Sequence, residues 1–277
     1  KGRPPEPNRR IRRLLQLSAC GWRRFLYVHI HMLELIKSQF TLDHLPMSTH
    51  LFYFVRHGQS ILNDKGIRQG SEGALSEKGV EQAHITGERL AEEQISTKQK
   101  MNVILASPYE RTRETAGIIA DHLHMTKPIE FVDLLKERRN PSQIIGKRAD
   151  DPEIARIIDM MDHSYHSDDY RFSDEENFAD LRDRAKACLE FLEKRKEKRI
   201  VVVTHGIFLK MLIGYMLRRE QLTAQEYNHL SYLNPANNAG ITVCAYKSGI
   251  FGPSRDKRWE MLAWDVHAEM RGHNTTI

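Results

Sequence analysis

Leu51-Phe52-Tyr53-Phe54-Val55-Arg56-His57-Gly58-Gln59-Ser60 opens with five apolar residues and turns polar within one step. A short unbroken apolar run of this kind predicts a buried strand, as in parallel sheets covered by helices on both faces. Working outward, Ser76 can cap a helix that carries Val80, Ala83, Gly87, Leu90 and Ala91 on one face. Val103 to Ala106 predicts a second strand, and Ser107-Pro108 a helix start, because Ser can cap and Pro fits the first helical position. Ile129 to Val132 predicts a third strand. Asp151 to Lys198 reads as mostly helical, interrupted by a polar loop near His163 to Asp174. Ile200 to Val203 is the most apolar strand candidate and leads into a helix near Ile207, while Ile241 to Tyr246 and Met261 to Trp264 complete the set. Short apolar runs alternating with longer amphipathic ones predict an α/β protein: a three-layer α/β/α sandwich around a mostly parallel sheet of about six strands.

The 277 residues, 40% hydrophobic and 29% charged, suffice for one large globular domain and exclude collagen-like and low-complexity classes. A mean hydropathy of −0.56 argues against an integral membrane protein. Cys20, Cys188 and Cys244 are odd in number and widely spaced, which predicts neither a disulfide framework nor a thiolate metal site and points to a reducing cytoplasm. The net charge of +5 is unevenly placed: residues 1–46 carry nine Lys/Arg against three Asp/Glu, leaving the remainder at −1. Basicity therefore belongs to a tail, and neither nucleic acid nor membrane is an expected partner of the body. Residues 1–46 are expected to form an extension outside the domain, since Met47 immediately precedes the first strand. The apolar stretch Phe25 to Ile36, interrupted by His29, His31 and Glu34, is too short to span a bilayer. No internal repeat divides the rest, so one domain is expected over 47–270, followed by a short tail at 271–277.

In an open α/β sheet, loops leaving the carboxyl ends of parallel strands meet in one crevice. Here those exits deliver Arg56-His57-Gly58, then Ser107 to Thr115 with Arg111, then Leu135-Lys136-Glu137, and finally Thr204-His205-Gly206. Two arginines, two histidines and a carboxylate arriving together suit a phosphoryl group. A guanidinium fork matches phosphate oxygens, and helix N-termini add inward N–H donors. Beside such cations a histidine is held partly neutral, and a neutral imidazole can attack phosphorus. Charge on the equatorial oxygens would then fall to Arg56, Arg111 and His205 rather than to a divalent ion. No metal cluster is expected. His122 and His124 stand two apart on a predicted helix and face different ways, and His163 and His166 fall in a polar loop.

Four motifs in order resemble the histidine phosphatase superfamily, which includes the cofactor-dependent phosphoglycerate mutases. They are Arg56-His57-Gly58 after a strand, Leu75-Ser76 with Gly79 opening a helix, Ser107-Pro108 with Arg111 and Thr115, and Val203-Thr204-His205-Gly206. The likeness runs from residue 50 to about 245 and implies a phosphoglycerate mutase-like fold. It further implies that His57 is transiently phosphorylated, that Arg56, Arg111 and His205 bind the phosphoryl group, and that Asn63 and Gln69 line the same pocket. Glu137 matches the family's proton donor to the leaving oxygen, and would later deprotonate the water that cleaves phosphohistidine. No cofactor is implied, and the expected partner is a small phosphorylated metabolite.

The pattern departs in two places. Arg138-Arg139-Asn140-Pro141-Ser142 stands where many family phosphatases have a Gly-rich, Trp-containing stretch, and Glu175-Glu176-Asn177 where Gly-Glu-Ser is common. Glu137-Arg138 is similar to the Glu-Arg pair of the mutases, which makes Arg138 a candidate for substrate binding, but the following aromatic is missing. Only 68 residues separate Glu137 from His205, little room for the mutase insertion. Metal-independent hydrolysis of a small phosphomonoester is therefore the expected activity. The alternatives are mutase-type phosphoryl transfer and a catalytically silent phospho-ligand-binding module.

Overall fold

The computed structural model describes residues 49–164, 167–233, 236–247 and 258–267. The chain divides into Lys1–Met47 and Ser48–Ile277, and every described residue lies in the second unit. The basic segment 1–46, with Cys20, and the tail 271–277 lie outside the described residues, as does His166.

Six strands form one sheet in the order β3-β2-β4-β1-β5-β6. They are β1 (His50–Arg56), β2 (Val103–Ala106), β3 (Glu130–Phe131), β4 (Arg199–Thr204), β5 (Ile241–Lys247) and β6 (Arg258–Val266). β1 to β4 are mutually parallel, with Phe54 beside Val202 and Ala106 beside Val203, whereas β5 pairs antiparallel with β1 and β6 pairs antiparallel with β5. Seven helices among the described residues flank or cap the sheet: α1 (Ile61–Asp64), α2 (Glu77–Thr97), α3 (Glu110–His122), α4 (Pro152–Ser164), α5 (Phe178–Glu193), α6 (Gly206–Arg218) and α7 (Ala224–Leu233).

Strand alternation sorts the core into two layers, because successive side chains point to opposite faces. Phe52, Phe54, Val103, Leu105, Ile200 and Val202 pack with Leu181, Ala185 and Leu189 of α5 and with Phe208, Met211 and Leu212 of α6. Tyr53, Val55, Ile104, Ala106, Val201 and Val203 pack on the other face with Leu90 of α2 and with Ala116 and Ile119 of α3. Both faces are covered, so the apolar runs of β2 and β4 are continuous and fully buried. This is the three-layer α/β/α sandwich expected from the sequence. No helix of the described residues is long and apolar enough to cross a membrane.

Local details differ from the sequence reading. Ser76 does cap α2, accepting from the Gly79 N–H, but Gly79, Gln82, Ala83, Thr86, Gly87 and Leu90 make the buried face, and Val80 is exposed. Ser107 does not cap α3. That helix starts two residues after Pro108, with Tyr109 at its N-cap and no side-chain cap, and the Ser107 hydroxyl is used elsewhere. β3 shrinks to two residues because the chain turns into a 3₁₀ segment at Asp133–Leu135, while β6 runs nine residues. α3 ends at His122, and His124 sits beyond it with φ +50°, so the two share no helix.

Candidate active site

The carboxyl ends of β1, β2 and β4 deliver Arg56-His57, Ser107 and Thr204-His205 to one edge, as the exit loops predicted. The His57 backbone is locked there: its N–H donates to Thr204 O, and its carbonyl accepts from Ala239 N and from Asn238 Nδ2. The Gly58 N–H donates to Thr115 Oγ1 at 3.1 Å. Gly58 and Gly79 meet backbone to backbone, so a Cβ on either would collide with the other segment's main chain.

His57 is 3% exposed. Its Nδ1 lies 2.7 Å from Gly58 O, an acceptor only, so Nδ1 carries the proton and Nε2 the lone pair. Nε2 receives a long contact, 3.3 Å, from the Arg111 Nε–H. Burial first, then the charges of Arg111 and Arg56, hold the His57 imidazole well below its usual pKa of 6.5. Its neighbour His205 is depressed for the same reasons, burial foremost, and the two ring centroids are 5.1 Å apart. Ser107 Oγ, 2.8 Å from His205 Nε2, can donate to it, which leaves Nδ1–H as the outward donor of that ring. That Nδ1 is buried and has no hydrogen-bond partner among the described residues.

Arg111 is almost wholly buried at the start of α3, where Nη1 donates to Gly70 O at 3.0 Å; burial lowers its pKa to about 10. Arg56 Nη1 donates to Ala236 O, while its Nε is buried with no partner among the described residues. Guanidinium groups kept this dry are poorly matched without an anion beside them.

A cavity of about 350 Å³ collects these groups. Arg56, His57, Asn63, Gln69, Arg111 and Glu137 all line it. Ser60 Oγ sits 3.0 Å from Asn63 Oδ1 and 2.9 Å from Gln69 Oε1, and its single proton can serve only one of these oxygens. Glu137 arrives from the far side. Its carboxylate accepts from Arg138 N at 2.9 Å, Ile207 N at 3.2 Å and Phe208 N at 3.0 Å, thereby closing the N-terminus of α6.

Two expected residues are placed differently. His205 is fully buried and does not itself line the cavity. Arg138 is not among the lining residues, although its Nη2 donates to Asn140 Oδ1, which is. Arg68, Asn140 and Lys210 line the cavity without having been expected. Lys210 was findable, because it stands one helical turn after Gly206 and so shares its face. Among the described residues no group of three or more His, Cys, Asp or Glu is placed to hold a metal ion.

Comparison with known proteins identifies the family. Residues 52–252 match the family model described as the histidine phosphatase superfamily (branch 1). The chain is 32% identical over 162 residues to a metal-independent phosphoserine phosphatase of Arabidopsis thaliana, covering 57% of this chain and 65% of that protein. It is 27% identical over 173 residues to a probable phosphoglycerate mutase, GpmB, of Erwinia tasmaniensis, covering 60% of this chain and 74% of the relative. Among solved structures, a mycobacterial glucosyl-3-phosphoglycerate phosphatase has the same fold, with a TM-score of 0.59 at 20% identity over 79% of this chain and 99% of that one.

Proposed function

This chain belongs to branch 1 of the histidine phosphatase superfamily, and from that premise we propose that it hydrolyses small phosphomonoesters through a phosphohistidine on His57, without a metal ion. Arg56 and Arg111 hold the phosphoryl oxygens, assisted by the Asn63 and Gln69 amides. His205, which is not part of the cavity lining, adds its Nδ1–H, without a partner among the described residues, from a ring centred 5.1 Å from that of His57. His57 Nε2 forms the N–P bond as the bond from phosphorus to the alcohol oxygen breaks. The electron pair of the broken bond stays on the leaving oxygen, which takes its proton from Glu137. Water then attacks phosphorus and gives a proton to Glu137, the N–P bond breaks, and inorganic phosphate leaves with both residues restored. Positive charge on the two guanidinium groups meets the charge spread over the equatorial oxygens, the part a divalent ion plays in other phosphoryl transfers.

The observation that carries this reading is the orientation of His57: with Nδ1 tied to Gly58 O, Nε2 presents its lone pair into a cavity that also holds Arg56, Arg111 and Glu137. The cavity's charges bear on the substrate. Arg56, Arg68, Arg111 and Lys210 face a single carboxylate, Glu137, a surplus that favours a phosphomonoester with a second anionic group such as phosphoserine. The name of the Arabidopsis relative points the same way, while the Erwinia relative keeps mutase-type transfer as a second reading.

The test is a labelling experiment. Enzyme mixed with a ³²P-phosphomonoester and stopped in alkaline detergent should carry label that acid releases, and His57→Ala should carry none. Label surviving in that variant would reassign the nucleophile. Phosphate release should continue in excess EDTA; strict dependence on added Mg²⁺ would remove the metal-free mechanism. Interconversion of 2- and 3-phosphoglycerate faster than phosphate release would favour the mutase reading.

A further inference from the structure

Glu137 is held by a clamp that never touches the cavity. Arg184, on α5, spends its guanidinium in two directions. Nε and Nη2 form a fork on Glu176, at 2.6 Å to Oε1 and 2.7 Å to Oε2, while Nη1 donates to Leu134 O at 2.9 Å and to Lys136 O at 2.7 Å. The intervening carbonyl, of Leu135, accepts from Thr204 Oγ1, so the three carbonyls before Glu137 are all pinned. Glu176 fixes the other side: its Oε2 accepts from Arg139 N, and its own N–H donates to Arg139 O at 2.9 Å. The Arg184 guanidinium also lies over the Phe208 ring at 4.0 Å, and Phe208 supplies one of the three N–H donors to Glu137. Side-chain exposures of 16% for Arg184 and 13% for Glu176 set this pair apart from a solvated surface bridge. A buried fork of this kind is geometrically strict, and removing either member leaves the other charge poorly hydrated.

We propose that the Arg184–Glu176 pair positions Glu137 against the leaving oxygen, and so sets the efficiency of proton donation without contacting substrate. The proposal rests on the reading of Glu137 as the general acid. Its physical basis is a division of labour between supports. Arg56 and His57 hang from β1, and Arg111 from α3, whereas Glu137 hangs from a loop braced by α5 and α6. Loosening the clamp shifts the acid and leaves the phosphoryl cradle in place. A displacement of about 1 Å in a catalytic group can cost 10²-fold in rate.

Leaving-group dependence separates this role from a structural one. Departure of p-nitrophenolate needs little help from an acid, whereas departure of an alkoxide, as from phosphoserine, depends on it. For each enzyme, kcat/KM is measured on p-nitrophenyl phosphate and on phosphoserine, since that constant covers steps up to leaving-group departure. Arg184→Lys and Glu176→Gln should lose roughly 10- to 100-fold on the alkyl ester and less than about 3-fold on the aryl one. Glu137→Gln provides the benchmark and should discriminate in the same direction. Equal losses on both esters, or no loss on either, would overturn the proposal while leaving Glu137 as the acid. If Glu137→Gln itself fails to discriminate, the acid assignment falls and the clamp with it. Should Arg184→Lys not fold, the ratio is read from Glu176→Asp, which keeps the charge and shortens the reach by one methylene. The ratio is taken within one preparation, so a smaller folded fraction lowers both rates equally and cannot imitate the effect.

Discussion

His57 is poised by which of its nitrogens is occupied and by the charges around it. The proposed attack by Nε2 requires the neutral ring, and burial followed by Arg111 and Arg56 keeps the folded pKa well below 6.5. The acid limb that His57 contributes to kcat/KM should therefore lie below pH 6.5. Arg111→Met removes one of the two cations, so the histidine becomes easier to protonate and the limb should move up toward 6.5. If Arg111 donates to phosphate as proposed, activity should also fall by about 10²-fold. Comparing pH profiles of the two enzymes on one substrate cancels the substrate's own titration. A limb that stays where it was would separate the ring's protonation from Arg111. At this scale the sequence was legible where a polar residue stands at the carboxyl end of a strand, because the strand fixes both position and direction: Arg56 ends β1 and His57 follows it. Arg138 is absent from the cavity lining, and side-chain direction in the irregular stretch after Leu135 has no period to read. Ser107 misled for a different reason. A hydroxyl before Pro looks like a cap in the one-dimensional sequence, and only the fold brings it to 2.8 Å from His205, 98 residues away.

At the scale of elements, the loop leaving β1 and helix α2 are one unit. The Ser76 N–H donates to Gln59 O at 2.9 Å, Ser76 Oγ lies 2.9 Å from Gln59 Oε1, and the Gly79 N–H donates to Ser76 Oγ. Gly79 then lies so close to the Gln59 main chain that no Cβ fits between them. Gly79→Ala would ordinarily favour a helix by a few tenths to about 1 kcal/mol. Here the methyl group must push α2 away from residues 57–59, so the variant should instead be destabilised by about 1–3 kcal/mol. It should also lose activity beyond the unfolded fraction, because Gly58 moves with the loop. Urea unfolding and turnover on the same samples decide this, and an unchanged midpoint would mean the loop adapts freely. β1, β2, β4 and β5 were readable because burial on both faces demands continuous apolar runs. β3 and β6 sit at the sheet's edges, where that demand lapses, and their ends were misplaced for that reason. The strand order was unreadable, since nothing in an apolar run says that β4 will insert between β2 and β1.

For the molecule as a whole, a cationic cavity built around buried histidines couples folding to pH. His57 and His205 are held well below 6.5, and His50 is lowered too, burial being the main cause in each case. Once pH drops below 6.5 the unfolded chain binds protons that the folded chain refuses, so the unfolded state gains. Stability should thus be fully present above pH 6.5 and decline as pH falls toward the folded pKa values, by up to about 1.4 kcal/mol per pH unit for each of the fully buried His57 and His205 and by less for the more exposed His50. Carboxylates with lowered pKa, Glu197 and Glu260 among them, lose their contribution only below about 4.5, which leaves the window from 6.5 to about 5 to the histidines. Thermal melts across that window should show Tm falling steadily. Inorganic phosphate bound between Arg56 and Arg111 would add the negative charge that the two site histidines lack and raise their folded pKa values. Saturating phosphate should therefore raise Tm and also flatten its pH dependence, the first by mass action and the second by electrostatics. A melt raised by phosphate with an unchanged slope would place the anion away from His57 and His205, and the phosphoryl cradle would have to be sought elsewhere in the molecule.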